Sequence, residues 1–178
     1  VLIGYLRRTA ARAPDGIGAL LREHRTLREG LLAGLLGAAA VALWFFVLDL
    51  ATGRPFFMPA ALGSALFFGI DDPGLVQVSA ATVLGFTLVH LAAFLVTGLV
   101  FATLVVQADE HPPVLLALGL LFVTFETLVI GIVAIVASWL LDVVPWWSIA
   151  LANVLAAAAM GTYLWKRHPT LTRDMHRA

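Results

Sequence analysis

The sequence predicts an all-α integral membrane protein, a bundle of four transmembrane helices with both termini in the cytoplasm. Three observations predict it. Apolar residues make up 61% of the 178-residue chain and charged residues 12%, against about 45–50% and about 25% in soluble globular domains. The apolar runs also fill the chain almost to its end, whereas a secretory signal peptide contributes a single N-terminal stretch of about 7–15 residues. Finally, of the 11 Lys and Arg residues, only Arg54 lies between the two ends of the chain. Basic residues beside spans are retained in the cytoplasm, which puts both termini there and requires an even number of spans.

The first 29 residues form a cytoplasmic segment broken at Pro14-Asp15-Gly16. After that break Ile17, Leu20, Leu21 and Leu27 fall on one side, with Arg22, Arg25 and Arg28 on the others. That pattern predicts an amphipathic helix lying in the membrane interface, with Asp15 as its cap. A four-span domain follows over 30–165, and 166–178 is a basic cytoplasmic tail.

About 20 apolar residues are needed to cross the hydrocarbon. Four stretches provide them: about 30–51, 79–106, 114–141 and 145–165. Pro145 suits a helix start, because its missing N–H falls among donors that are unpaired in the first turn. Trp146 and Trp147 at one end of the fourth span, with Tyr163 and Trp165 at the other, read as interfacial aromatic anchors. Between the first two spans, PFFMPAALGSALFFGI is apolar but short, and the turn Asp71-Asp72-Pro73-Gly74 follows it. It is expected to be a short helix on the outer face of the bilayer. Asp49 and Arg54 are expected to pair in the open at that mouth, with little energetic weight. Asp142 ends the third span where water begins. His111, within DEHPP, reads as part of a solvated turn.

Lipid tails are as apolar as leucine, so membrane helices associate by close backbone approach and hydrogen bonds. Small residues four apart mark the approaching faces: Gly30, Gly34, Ala38 and Ala42 on the first span, and Asn153, Ala157 and Gly161 on the fourth. These lines are expected to face other helices of the chain or of a neighbouring subunit.

Two ionisable groups lie deep in the spans. Glu126 is the sole one between Val114 and Leu141, and His90 shares a stripe with Thr87, Phe94 and Thr97. Rise along the helices places them about 22 Å and about 16 Å from the outer ends, and antiparallel neighbours bring such groups within reach of each other. A carboxylate near the midplane is costly by roughly 2.5–3.5 kcal/mol or more, so Glu126 is either protonated or paired. Three roles are open for the pair: a structural hydrogen bond, a proton or ion pathway, and ligation of a chlorin or haem by His90. A haem with two histidine ligands would need a second deep histidine, which the chain lacks.

There is no Cys, which excludes disulfides and thiolate metal sites. HExxH, GxSxG and Walker motifs are also missing, so the chain is not expected to be an enzyme, and no metal site or cofactor is expected. Nothing points to nucleic acid. The stretches VLDLATGRP, PAALGSALFFG and VHLAAFLVTGLVFA, within Glu29 to Trp165, resemble small, uncharacterised bacterial four-helix membrane proteins. The resemblance implies the same bundle, in a bacterial inner membrane, and no activity. The role expected is a non-catalytic accessory subunit of a larger membrane assembly, respiratory or photosynthetic, with lipids and other membrane subunits as partners. The alternative is a small oligomeric transporter or proton-conducting bundle that uses Glu126 and His90.

Overall fold

The computed structural model describes residues 16–110 and 138–168 and, between them, 120, 123–124, 127–128, 130–132 and 134–135. The described residues are helices and connecting turns. They comprise α1 (Gly16–Ala51), α2 (Phe57–Phe68), a 3-10 turn (Pro73–Leu75), α3 (Ala80–Glu110), α4 (Leu140–Val143) and α5 (Trp146–Arg167). Three helices are long and apolar enough to cross a membrane: Glu23–Ala51, Ala80–Gln107 and Trp146–Arg167. The chain is therefore a helical membrane protein. Most of the expected third span lies outside the described residues. Its described part is helical, with the hydroxyls of Thr124 and Thr127 donating to the carbonyls of Leu120 and Val123 at 2.8 and 2.9 Å.

The largest difference from the sequence expectation is in α1. The amphipathic stretch does not form a separate interfacial helix but runs into the first span as one helix of 36 residues. No proline falls between Pro14 and Pro55, so nothing removes a backbone donor or clashes with the preceding turn. At about 1.5 Å per residue the helix is roughly 54 Å long, well beyond the hydrocarbon thickness of about 30 Å.

Glycines set how closely α1 and α3 approach. A Cβ on Gly98 would lie 2.7 Å from Gly34 Cα, and one on Gly30 would lie 2.8 Å from Leu99 Cα. A Cβ on Gly34 would likewise meet Leu95 Cα at 2.9 Å. The atoms met are backbone, which cannot turn aside, so only glycine fits this crossing. Gly37 faces α5 differently: a Cβ there would lie 2.6 Å from the sulfur of Met160, a side chain that can shift. Ala33, Ala102, Val105, Met160 and Leu164 close a core between the three long helices.

The short helix expected after the first span is present as α2, but it is tucked inward. Phe57, Met58, Ala60, Ala61, Gly63, Ser64 and Ala65 are buried, and part of this face shares a core with Leu140, Val144 and Ile149. Ile130 of the expected third span packs on the same core. A Cβ on Gly63 would run into the carbonyl of Thr82, so α2 sits close against the start of α3. That start is a reciprocal cap: Ser79 Oγ accepts from Thr82 N at 3.2 Å, and Thr82 Oγ1 accepts from Ser79 N at 3.2 Å. Pro145 falls one residue before α5, at its N-cap.

These contacts distinguish two glycines that look alike in the sequence. Gly98→Ala should lower stability by about 1–3 kcal/mol by overpacking against backbone. Gly161→Ala points into open space and should raise it by up to about 1 kcal/mol through helix propensity. Unfolding in detergent micelles followed by circular dichroism reads both; equal losses would contradict the assigned crossing.

Candidate functional site: the polar groups around α1 and the groove between Asp49 and His90

His90 sits on α3 with aromatic rings one turn to either side. Its centroid lies 5.8 Å from that of Phe86, with the planes 28° apart, and 4.8 Å from that of Phe94. Its Nε2 lies 3.2 Å from the carbonyl oxygen of Ala38 on α1. A carbonyl only accepts, so this nitrogen donates and carries the proton. The sequence named Ala38 for packing and His90 for polarity; the structure joins them. Glu126, the expected partner of His90, lies outside the described residues.

Asp49 differs from the expectation. It is buried, at 3% exposure, and forms no open pair with Arg54. Its Oδ2 accepts from the backbone N–H of Met58 at 2.9 Å, in the first turn of α2. The helix's own N-cap residue, Phe56, offers no side-chain acceptor. A carboxylate from α1 thus satisfies a donor that would otherwise be unpaired and complements the positive end of the α2 dipole. The guanidinium of Arg54 instead lies over the Phe57 ring, 3.4 Å from its centroid.

At the far end of α1, Glu29 is buried, at 6% exposure. It accepts from Arg25 Nε at 2.9 Å and pairs with His168 Nε2 at 3.0 Å. Arg25 Nη2 also donates to the carbonyl of Arg167 at 3.2 Å, covering one of the unpaired acceptors at the end of α5. Trp44 Nε1 donates to the buried Ser148 Oγ at 3.1 Å, tying α1 to the start of the same helix. The sequence reading missed these contacts. Arg25 and Glu29 stand four apart, a spacing that favours pairing on a helix. No local signal pointed to His168, which is brought to Glu29 from the opposite end of the chain.

Of the line expected to pack on the first span, Gly30, Gly34 and Ala38 are buried and Ala42 is exposed. On α5 the buried line is Ile149, Ala152, Ala156, Met160 and Leu164, one position off the expected one. Asn153 and Ala157 are half-buried, and a Cβ on Gly161 would meet nothing within 4 Å. The amide nitrogen of Asn153 is buried without a hydrogen-bond partner among the described residues. Of the expected anchors, Trp146, Trp147 and Trp165 are 66%, 50% and 42% exposed. Tyr163 turns inward onto the core of the long helices, and its hydroxyl is buried without a hydrogen-bond partner among the described residues. Among the described residues no three His, Cys, Asp or Glu side chains gather as a metal site would need.

Between α1, α2 and α3 runs a groove of about 500 Å³, with Asp49 at one end and His90 at the other. Phe45, Phe46, Phe56 and Phe86 supply much of its wall. Phe56 stands there in the left-handed backbone region, at φ 64°, with its ring centroid 5.2 Å from that of Phe46. Its size is that of a small-molecule site. No protein-family model, curated protein or solved structure matches the chain.

Glu29→Ala would leave Arg25 and His168 without a shared acceptor, and should cost about 1–3 kcal/mol. Amide exchange over Leu164–Arg167 should accelerate while that over Trp146–Leu151 stays unchanged. At the other end of α1, Asp49→Ala should cost about 0.5–2 kcal/mol, and Asp49→Asn, which keeps an acceptor, less. Unchanged exchange at Arg167 in the first variant would contradict the clamp.

Proposed function

We propose that the chain is a non-catalytic structural subunit of a larger membrane assembly, and that it crosses a bacterial inner membrane four times with both ends in the cytoplasm. The observation that carries this reading is the use of its buried polar groups. His90 with Ala38, Asp49 with Met58, Trp44 with Ser148, and Glu29 with His168 each join another element to α1. Hydrogen bonds between membrane helices are worth about 0.6–2 kcal/mol each and fix position and register. The groups are thus held in structural contacts. Gly161, open to the outside on α5, leaves a line that a helix of another subunit can approach closely. The flanking arginines support the even span count.

The test is extraction of the native membrane in mild detergent, followed by mass spectrometry of co-migrating chains and an absorption spectrum of the particle. The 19.0 kDa chain should run within a particle containing other membrane subunits. Migration alone, or as a small colourless oligomer, would overturn the proposal.

A second reading, a small transporter or proton-conducting bundle, is favoured by the groove that His90 lines and by the lone carboxyl of Glu126 in its apolar run. It predicts that Glu126→Gln abolishes flux in proteoliposomes while leaving the helical content intact. Flux equal to the wild type would sink it.

A further inference from the structure

The groove has a depth and a position that define an occupant. Along α1 it extends from Asp49, two residues from the end of the span, inward to Ala39. Those positions are about 15 Å apart at 1.5 Å per residue, which is half the hydrocarbon thickness of about 30 Å. On α3 the wall runs from Val83, near the start of the span, to His90, about 10 Å along the helix. The groove therefore begins at one membrane interface and ends near the midplane, the path of a single acyl chain in one leaflet. Leu43 and Thr87, both exposed, form part of its lining, so among the described residues nothing closes that side. The polar groups along it are engaged within the protein: Thr87 Oγ1 donates to Val83 O at 2.7 Å, His90 Nε2 to Ala38 O, and Asp49 Oδ2 accepts from Met58 N. The body of the groove thus suits a hydrocarbon.

A cation stands beside the interfacial end, where Arg54 N donates to the carbonyl of Asp49 at 2.9 Å. Arg54 is the sole Lys or Arg between Arg28 and Lys166 and stands two residues before Phe56, which lines the groove. Its guanidinium is spread over the Phe57 ring. A planar guanidinium presents paired donors suited to phosphate. The geometry points to a binding site for one phospholipid, with an acyl chain in the groove and the phosphate at Arg54. This inference rests on neither reading of the overall function.

Native mass spectrometry of the whole chain, released from detergent after titration with dioleoyl phosphatidylethanolamine, tests it. One phospholipid should be retained per chain. Ala42→Trp and Val83→Phe each add bulk inside the lining and should lower occupancy at least about tenfold, whereas Val154→Trp, on an exposed face of α5, should not. Circular dichroism identifies which groove variants fold, and either one serves alone. Dioleoylglycerol, which has the chains without the phosphate, should bind the wild type more weakly, and Arg54→Gln should remove that preference. Unchanged occupancy in a folded groove variant would overturn the site, as would absence of retained lipid in the wild type. Equal binding of dioleoylglycerol would overturn the assignment of the phosphate to Arg54.

Discussion

The contact on which this structure depends is the backbone-to-backbone approach of α1 and α3 at Gly30, Gly34 and Gly98. In lipid, exclusion of apolar surface from water does not hold helices together, so association relies on dispersion and on hydrogen bonds between helices. Glycine allows both, because removing the Cβ lets two helices approach within van der Waals contact of their main chains. One turn further along, the same approach brings His90 to the carbonyl of Ala38. The crossing and the interhelical hydrogen bond therefore share one geometry.

From that contact α1 becomes the element on which the others are hung. Its polar groups are spaced along its length, each meeting a different neighbour: Glu29 the end of α5, Ala38 the middle of α3, Trp44 the start of α5, and Asp49 the start of α2. The groove follows from this arrangement. α1 and α3 are in closest contact at Gly30, Gly34 and Gly98, toward the cytoplasmic end of the proposed topology. Toward the other end the wall includes the ring of Phe56, on a residue in the left-handed region, a conformation costly for a side chain with a Cβ. The Asp49 cap on Met58, two residues on, and the contact of Phe46 with the Phe56 ring itself hold that residue in place.

Much of the fold was legible in the sequence, and the reasons are local. Apolar runs of about 20 residues located the three long apolar helices, and the small-residue line on the first span identified the side that packs. Turn chemistry separated the short α2 from its neighbours. Contacts made in three dimensions were less legible. Asp49 looked like a span-ending charge because its partner, a backbone N–H, has no sequence signature. Glu29 looked like a boundary because His168 is far away in the chain. On α5 two adjacent lines compete, Ala152, Ala156 and Met160 beside Asn153, Ala157 and Gly161, and with Ala156 next to Ala157 periodicity alone could not choose between them. The side chains of Met160 and Leu164, fitted between α1 and α3, decide it.

The most direct test of this account is a nuclear Overhauser measurement between the α protons of Gly34 and Gly98, in protein reconstituted into micelles or nanodiscs without any substitution. With the two main chains as close as a Cβ at Gly98 lying 2.7 Å from Gly34 Cα requires, a strong cross-peak is expected. Both resonances assigned and no cross-peak between them would contradict the glycine crossing, and with it the placement of every element that α1 holds.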